Sequence, residues 1–392
     1  MKKIFIIILV VAGACIVLNK KEEKKEAIVD NYQEDRAVFI SYIDYSVLKN
    51  KTKDEIKNII DEMIHNIEDN NYNMIILQVR SFFDAIYNSS IFKSSKVVVE
   101  NEGDVLNLDI LSYFTKKSHE KNIKLYAWVN PYRIRNTNDY SDINKENIYY
   151  KYLFSNEIYI GDDGIYINPS SEIGLKFIID GLKEIAVNYD VDGILFDDYF
   201  YPNDFIDNDN YNLYKEKGGE KDINNYRRDN IYNLIKTSFL EIKKINKNIL
   251  FGISPGGNIN NNLNDEYLDI EKVINDGYID FVMPQLYYGF ENESLPFTLA
   301  LDNWEMLVKD KNVSLYVALS IYKSGNVDKY AGGGTNEWIE KTDIIKKEVI
   351  LSRNANNYKG FAIFRYDFLF NFSRENENLL KENENLKEIL KK

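Results

Sequence analysis

Two adjacent acids close a short apolar run in Asp192-Gly193-Ile194-Leu195-Phe196-Asp197-Asp198. Two carboxylates at the end of a hydrophobic strand are costly to leave unpaired, so the pair marks a site whose groups titrate outside their ordinary range. Successive side chains of an extended segment alternate. The sequence therefore predicts that one of Asp197 and Asp198 faces a cavity while the other supports the shell behind it. Asp44 and Asp84, just past other apolar runs, are the candidate partner carboxylates. Asp84 lies four residues beyond Arg80, a spacing that equally suits a bidentate ion pair. Asp367 reads as a loop cap.

The residues that are scarce narrow the chemistry further. The chain has two histidines, His65 and His119, and one cysteine. Both histidines fall on helical stretches away from strand ends, so a Ser-His-Asp triad has no base. A zinc site of His and Cys lacks ligands, and one thiol forbids a disulfide framework. No phosphate-cradling or dinucleotide glycine motif follows any strand, so the sequence calls for no cofactor. Carboxylates must then carry any catalysis, and the reaction that needs only a carboxylate pair is glycoside hydrolysis.

The neighbours suit a sugar. Tyr42, Tyr45, Trp128, Tyr132, Tyr199, Tyr201, Tyr287 and Tyr288 stand at or just after apolar runs, where aromatic faces can stack on a pyranose. Arg80, Asn130, Arg133 and Gln285 offer hydrogen bonds to hydroxyls. Packing explains Trp128 and Tyr288 equally well.

These residues need a frame that brings strand ends together. Eight apolar runs, Ala37–Tyr42, Met74–Val79, Ile123–Val129, Gly193–Phe196, Ile249–Ile253, Phe281–Leu286, Ser314–Leu319 and Gly360–Phe364, have the near-continuous Ile/Val/Leu character of buried parallel strands. Between them the period becomes helical, as in Ile56, Ile59, Ile60, Met63, Ile64 and Ile67, and again in Ile231, Leu234, Ile235, Phe239, Ile242 and Ile245. A last stretch with Leu379, Leu380, Leu386, Ile389 and Leu390, capped at Ser373, would close the ring. Eight βα units predict a (β/α)8 TIM barrel with its chemistry at the C-terminal ends of the strands.

The 392 residues, 44% of them apolar, accommodate one such domain over 35–392. A net charge of −13 with no basic cluster speaks against a nucleic-acid partner. Residues 1–18 read as an address: Lys2-Lys3 precede an apolar run from Ile4 to Leu18, and a charged linker follows over 19–34. The run is short for a membrane span. Cys15 in Ala12-Gly13-Ala14-Cys15 approximates a site of bacterial lipidation, and an uncleaved anchor or simple secretion are the other readings. All three place the domain outside the cytoplasm, and the first two tether it to a membrane.

Six segments in order carry a resemblance. Arg36–Asp44, Gln78–Tyr87, Ala127–Arg133, Val191–Pro202, Phe251–Pro255 and Met283–Tyr287 resemble the bacterial glycosyl-hydrolase-like family 10 domains over roughly Arg36 to Phe370. The resemblance implies a TIM barrel acting on polysaccharide, and the family includes exported or lipoprotein enzymes that cut peptidoglycan glycan strands. It places the presumed active site on Asp197 and Asp198. Two stretches depart from the family pattern. Gly256-Gly257-Asn258-Ile259-Asn260 stands where an aromatic and basic loop is usual, and Phe364-Arg365-Tyr366 replaces a small and aromatic mix.

The mechanism expected is hydrolysis at a β-linked amino sugar. Its acetamido group would be the internal nucleophile, one of Asp197 and Asp198 orienting it and the other serving as acid. A conventional scheme would set one of them against Asp44 or Asp84 across the mouth. Two rivals are a non-catalytic glycan-binding lipoprotein on the same scaffold, and a metal hydrolase ligated by Asp44, Asp84, Asp197 and Asp198.

Overall fold

Alternation along eight strands sorts the side chains into two shells. In the computed structural model, which describes residues 34–391 apart from 203, 204, 206, 310 and 372–375, those strands form a closed parallel barrel. They are β1 (Asp35–Ile40), β2 (Met74–Arg80), β3 (Lys124–Val129), β7 (Gly193–Phe196), β8 (Leu250–Ile253), β9 (Phe281–Val282), β10 (Ser314–Leu319) and β11 (Tyr358–Ile363). β11 pairs back onto β1 with Asp35 opposite Gly360. Between β3 and β7 the chain inserts a small antiparallel sheet of β4 (Arg133–Arg135), β5 (Ile158–Ile160) and β6 (Ile165–Ile167), in the order β4-β6-β5. Cys15, the apolar run and all but Glu34 of the linker lie outside the described residues.

Phe39, Met74, Ile76, Tyr126, Trp128, Leu195, Phe281, Met283 and Tyr316 fill the barrel. The alternate positions, such as Val38, Ile75, Leu125, Ile194, Val317 and Ile363, join the larger core under the helices. Each such burial stabilises by about 1.5–3 kcal/mol. Glycines make room for the large interior rings: a Cβ on Gly193 would lie 2.7 Å from Tyr126, and one on Gly252 2.5 Å from Phe281.

Each barrel strand leads into a helix: α1 (Lys53–Asp69), α2 (Ile110–Glu120), α3 (Glu172–Asn188), α4 (Ile223–Ile245), α5 (Ile270–Asp276), α6 (Phe297–Val308), α7 (Ile344–Ser352) and α8 (Glu377–Leu390). α1 begins with a reciprocal capping box between Thr52 and Glu55 and buries Ile56, Ile60, Met63, Ile64 and Ile67. α8 closes the ring. Its cap is Asn376, whose side chain accepts the Leu379 N–H, while Ser373 lies outside the described residues. Glu382 of α8 accepts the N–H groups of Ile344 and Ile345 at 3.2 and 2.7 Å, so a carboxylate caps the start of α7. Leu390 accepts a hydrogen bond from Arg36 of β1 at 2.9 Å.

Two strands differ from expectation in ways that matter for the site. β9 has only two paired residues because Pro284 lacks a donor, yet the chain stays in line, with Gln285 bridging Gly256 and Ala318. In β2 the register against β3 shifts between Gln78 and Arg80. That bulge reverses the facing of Arg80.

Candidate active site

Beyond the C-terminal ends of the eight barrel strands lies a cleft of about 360 Å³. Asp197 and Asp198 are the only carboxylates among its described lining residues. The strand stops at Phe196 and the chain turns, with the Phe200 N–H bonded to the Asp198 carbonyl at 3.1 Å. Side-chain alternation therefore ends one residue before the pair. Both acids line the cleft, correcting the expectation that they point to opposite sides.

Asp197 is 3% exposed. Its Oδ2 accepts the Trp128 indole N–H at 2.8 Å and the Asn130 amide at 3.3 Å, and its Oδ1 accepts the Tyr199 N–H at 3.4 Å. Burial, then the charge of Asp198, push its pKa up to about 7, against the lowering pull of Arg133 and Trp128. Asp198 is half-buried and also raised by burial, with the Gln285 side chain and Arg133 acting in the opposite direction. Asp197 therefore still holds its proton in part of the molecules near neutral pH, beside a second acid that burial also raises. That is the provision acid-assisted glycosidic cleavage requires.

The walls are aromatic. Phe39, Tyr42, Trp128, Tyr199, Tyr287, Tyr322 and Phe364 line them, and Tyr199 is half exposed. Arg133 lines the same cleft, its guanidinium 4.7 Å from the Tyr199 ring and 4.9 Å from that of Phe82. Gln285 anchors on the Ser254 carbonyl at 3.0 Å. Asn130 is fully buried behind the pair, donating to Asp197 and accepting the Arg133 N–H at 2.9 Å. It positions both and does not line the cleft.

Other candidates belong elsewhere. Asp44 is buried in a lock between the loops after β1 and β11: it accepts from Ser41 N and Oγ at 2.7 and 2.6 Å, from the Asp367 N–H at 3.0 Å, and from Arg365. Asp367 itself pairs with Arg365 at 2.8 Å. Arg80 does not line the cleft and does not form the ion pair with Asp84. The bulge turns it outward, where its guanidinium sits 3.8 Å from Phe92 and 4.9 Å from Phe83 with no hydrogen-bond partner on any nitrogen. Asp84 lines a separate cavity. Tyr132 is buried in the outer core, and Tyr201 is buried with its hydroxyl on Asn230 at 3.1 Å. Tyr45 and Tyr288 also pack into that core. The four acids of the metal reading do not converge. Among the described residues the one His/Cys/Asp/Glu group close enough to share an ion is His65, Glu68 and Asp69, on the surface of α1.

The sequence from 34 to 331 matches the family described as glycosyl hydrolase-like 10, three-quarters of the chain. The chain belongs to that family. Glycosyl hydrolase YngK of Bacillus subtilis (strain 168) is 29% identical over 357 residues, covering 85% of this chain and 68% of that protein. Glycosyl hydrolase DigH of Escherichia coli (strain K12) is 25% identical over 361 residues, covering 84% and 80%. Among solved structures, the PgaB (BpsB) glycoside hydrolase domain from Bordetella bronchiseptica superimposes with a TM-score of 0.56 at 11% identity, covering 90% of this chain and 99% of that one. The catalytic domain of β-amylase from Paenibacillus polymyxa gives 0.54 at 12% identity, with 91% and 99% covered. These two likenesses concern the fold. This glycosyl hydrolase-like 10 chain is thus a polysaccharide-directed glycoside hydrolase on a TIM barrel.

Both departures from the family pattern are structural in this member. Arg365 is the cation of the Asp44 lock. Gly257 packs so close to Gln285 that a Cβ would meet its carbonyl at 2.5 Å, and Trp304 donates to the Gly257 carbonyl at 2.8 Å. The loop is thereby held against the wall that carries Gln285.

Sequence reasoning missed one polar group that lines the cleft and one acid that interacts with Asp198 from outside its lining. Gln78 faces the cleft at the end of β2 and accepts the Tyr42 N–H at 3.1 Å. The period-2 alternation from Ile76 was the signal. Glu266, between α4 and α5, accepts a backbone hydrogen bond from Phe200 and leaves Oε2 buried with no partner. Burial and then Asp198 lift its pKa to about 8. It sits in an irregular loop of 265–269, where no periodicity marks it.

Proposed function

We propose that this protein is an exported hydrolase of cell-wall glycan, acting on peptidoglycan strands through Asp197 and Asp198 as a coupled pair. The observation that carries the reading is that no third carboxylate stands among the described lining residues of an aromatic cleft. With Asp44 locked and Asp84 elsewhere, a carboxylate across the mouth is missing from the conventional scheme. An acetamido group of the substrate fills that role: one acid protonates the leaving oxygen while the other orients the amide. Tyr199, Tyr287 and Trp128 supply faces for pyranose rings, and Gln285 and Arg133 supply donors. The address at residues 1–18, with Cys15 as the lipid acceptor, supports a place on the outer side of the membrane.

The test is digestion of purified peptidoglycan by the wild type, Asp197→Asn and Asp198→Asn, with mass spectrometry of the products. New reducing ends from the wild type and a loss of about 10²–10⁴-fold in both variants are expected. Undiminished release by both would refute the pair, and no new ends from the wild type would leave a glycan-binding protein instead.

A further inference from the structure

A second cavity, of about 280 Å³, opens beside the catalytic cleft, between the loop after β2 and the inserted strand β4. Phe82 forms the partition. It lines the second cavity, while its ring lies 5.0 Å from Tyr42 and 4.9 Å from the Arg133 guanidinium, both lining residues of the first. The floor is polar and buried, with Asp84 5% and Arg135 8% exposed. Arg135 reaches Glu102 and Asp142 through its terminal nitrogens, whereas its Nε is buried without a hydrogen-bond partner. Asp84 accepts the Phe82 N–H at 3.3 Å and a hydrogen bond from Ser95. The rim at Lys96, Asn136 and Thr137 is exposed.

Both cations of this lining are already engaged, Lys96 and Arg135 by Asp142 and Arg135 also by Glu102, so neither is left over to hold an anion. Such a floor does not select an ion. It offers donors and acceptors side by side, with Phe82, Val97 and Ile134 as apolar faces. That is the pattern of a hydroxyl-rich ligand with one hydrophobic side, and the volume is close to the lower end of ordinary ligand sites, about 300 Å³. Burial pushes Asp84 up to about 6, so near neutrality it accepts hydrogen bonds and in mild acid it also donates one.

We infer that this cavity is a remote sugar subsite, occupied by a neutral saccharide unit of the same glycan strand whose scissile bond lies at Asp197 and Asp198. The inference rests on the glycan reading of the catalytic cleft and adds a length requirement to it. A strand crossing Phe82 engages both cavities; a short oligosaccharide engages only the first. Binding energy gathered away from the reacting bond then raises kcat/KM for long substrates alone.

The experiment fills the second cavity from its rim with Thr137→Trp, and separately with Asn136→Trp, both at exposed positions. Each variant is assayed on stem-stripped peptidoglycan strands and on short oligosaccharides cut from them. The expected result is a fall of about tenfold in kcat/KM on strands with short substrates unaffected. Equal losses on both substrates, or no loss on strands, would overturn the subsite while leaving the catalytic reading intact. A wild type that cuts neither substrate defeats the catalytic reading instead. The subsite then stands or falls on titration calorimetry with the Asp198→Asn protein, which should bind strands more tightly than short fragments and lose that margin on adding Thr137→Trp.

Discussion

Asp44 and Asp197 are both buried acids just past barrel strands, yet their surroundings are opposite. Asp44 receives four donors, two on each oxygen, one of them from the guanidinium of Arg365. Asp197 receives two side-chain N–H groups on one oxygen and a long backbone contact on the other, beside a second acid. Burial raises the pKa of both acids and each has another acid beside it, so the difference lies in the donors. A carboxylate whose lone pairs are saturated by its own protein has nothing left to offer a substrate, whereas one held mainly through one oxygen keeps the other open to it. The fold thus uses the same residue type as a clasp at one strand end and, in the function proposed above, as a reagent at another.

Substitution at the two sites should separate these uses. The largest effect expected is the loss of about 10²–10⁴-fold in kcat for Asp197→Asn and Asp198→Asn, with little loss of stability, read by sugar release and thermal melts on the same preparations. Asp44→Asn should do the reverse. Breaking the buried pair with Arg365 costs about 3 kcal/mol of stability in urea titration, while activity per folded molecule stays near wild type. If Asp44→Asn abolished turnover in fully folded protein, the contrast would be void.

A smaller effect sharpens the role of the indole. Trp128→Phe removes a donor that favours ionised Asp197, so its pKa must rise above about 7. The falling alkaline limb of kcat/KM should move to higher pH, with a loss of about tenfold at the optimum, as expected for a hydrogen bond to a charged group. A limb that stayed in place would separate Trp128 from the proton.

A further effect concerns stability against pH. Asp197 and Glu266 have folded-state pKa values raised from 3.8 to about 7 and from 4.5 to about 8. The folded protein therefore binds more protons than the unfolded chain across those windows, so stability is greatest below them and falls as pH rises toward 7 and 8. Asp197→Asn and Glu266→Gln should each flatten that decline, by at most about 1.4 kcal/mol per pH unit. Melting curves from pH 4 to 9 would show it, and a wild type whose stability rose through this range would contradict the burial of uncompensated acid.

The barrel was legible because parallel strands buried on both faces leave near-continuous apolar runs, and all eight were found to within a few residues at each end. What escaped was set by features shorter than any period. The three-residue strands of the inserted sheet carry too few positions to alternate. One bulge in β2 sent Arg80 outward and left Gln78 as the inward-facing polar group. Tyr132 and Tyr201 were expected at the substrate because they lie near strand ends, but each lies past a turn and is drawn into the outer core. Asp197, Asp198, Trp128, Arg133, Tyr199, Gln285 and Tyr287 were readable because they stand in a strand or within five residues of its C-terminal end, the face at which such a barrel gathers its chemistry.

The hydrogen bond from Arg36 to Leu390 joins the opening strand to the final turn of the closing helix. β1 meanwhile finds one of its two neighbours, β11, only near the end of the chain. A polypeptide made from its amino end must hold that first strand half-paired until β11, about 325 residues further along, has been added. Completion of the cleft, to which β1 and β11 both contribute, therefore waits for the eighth strand.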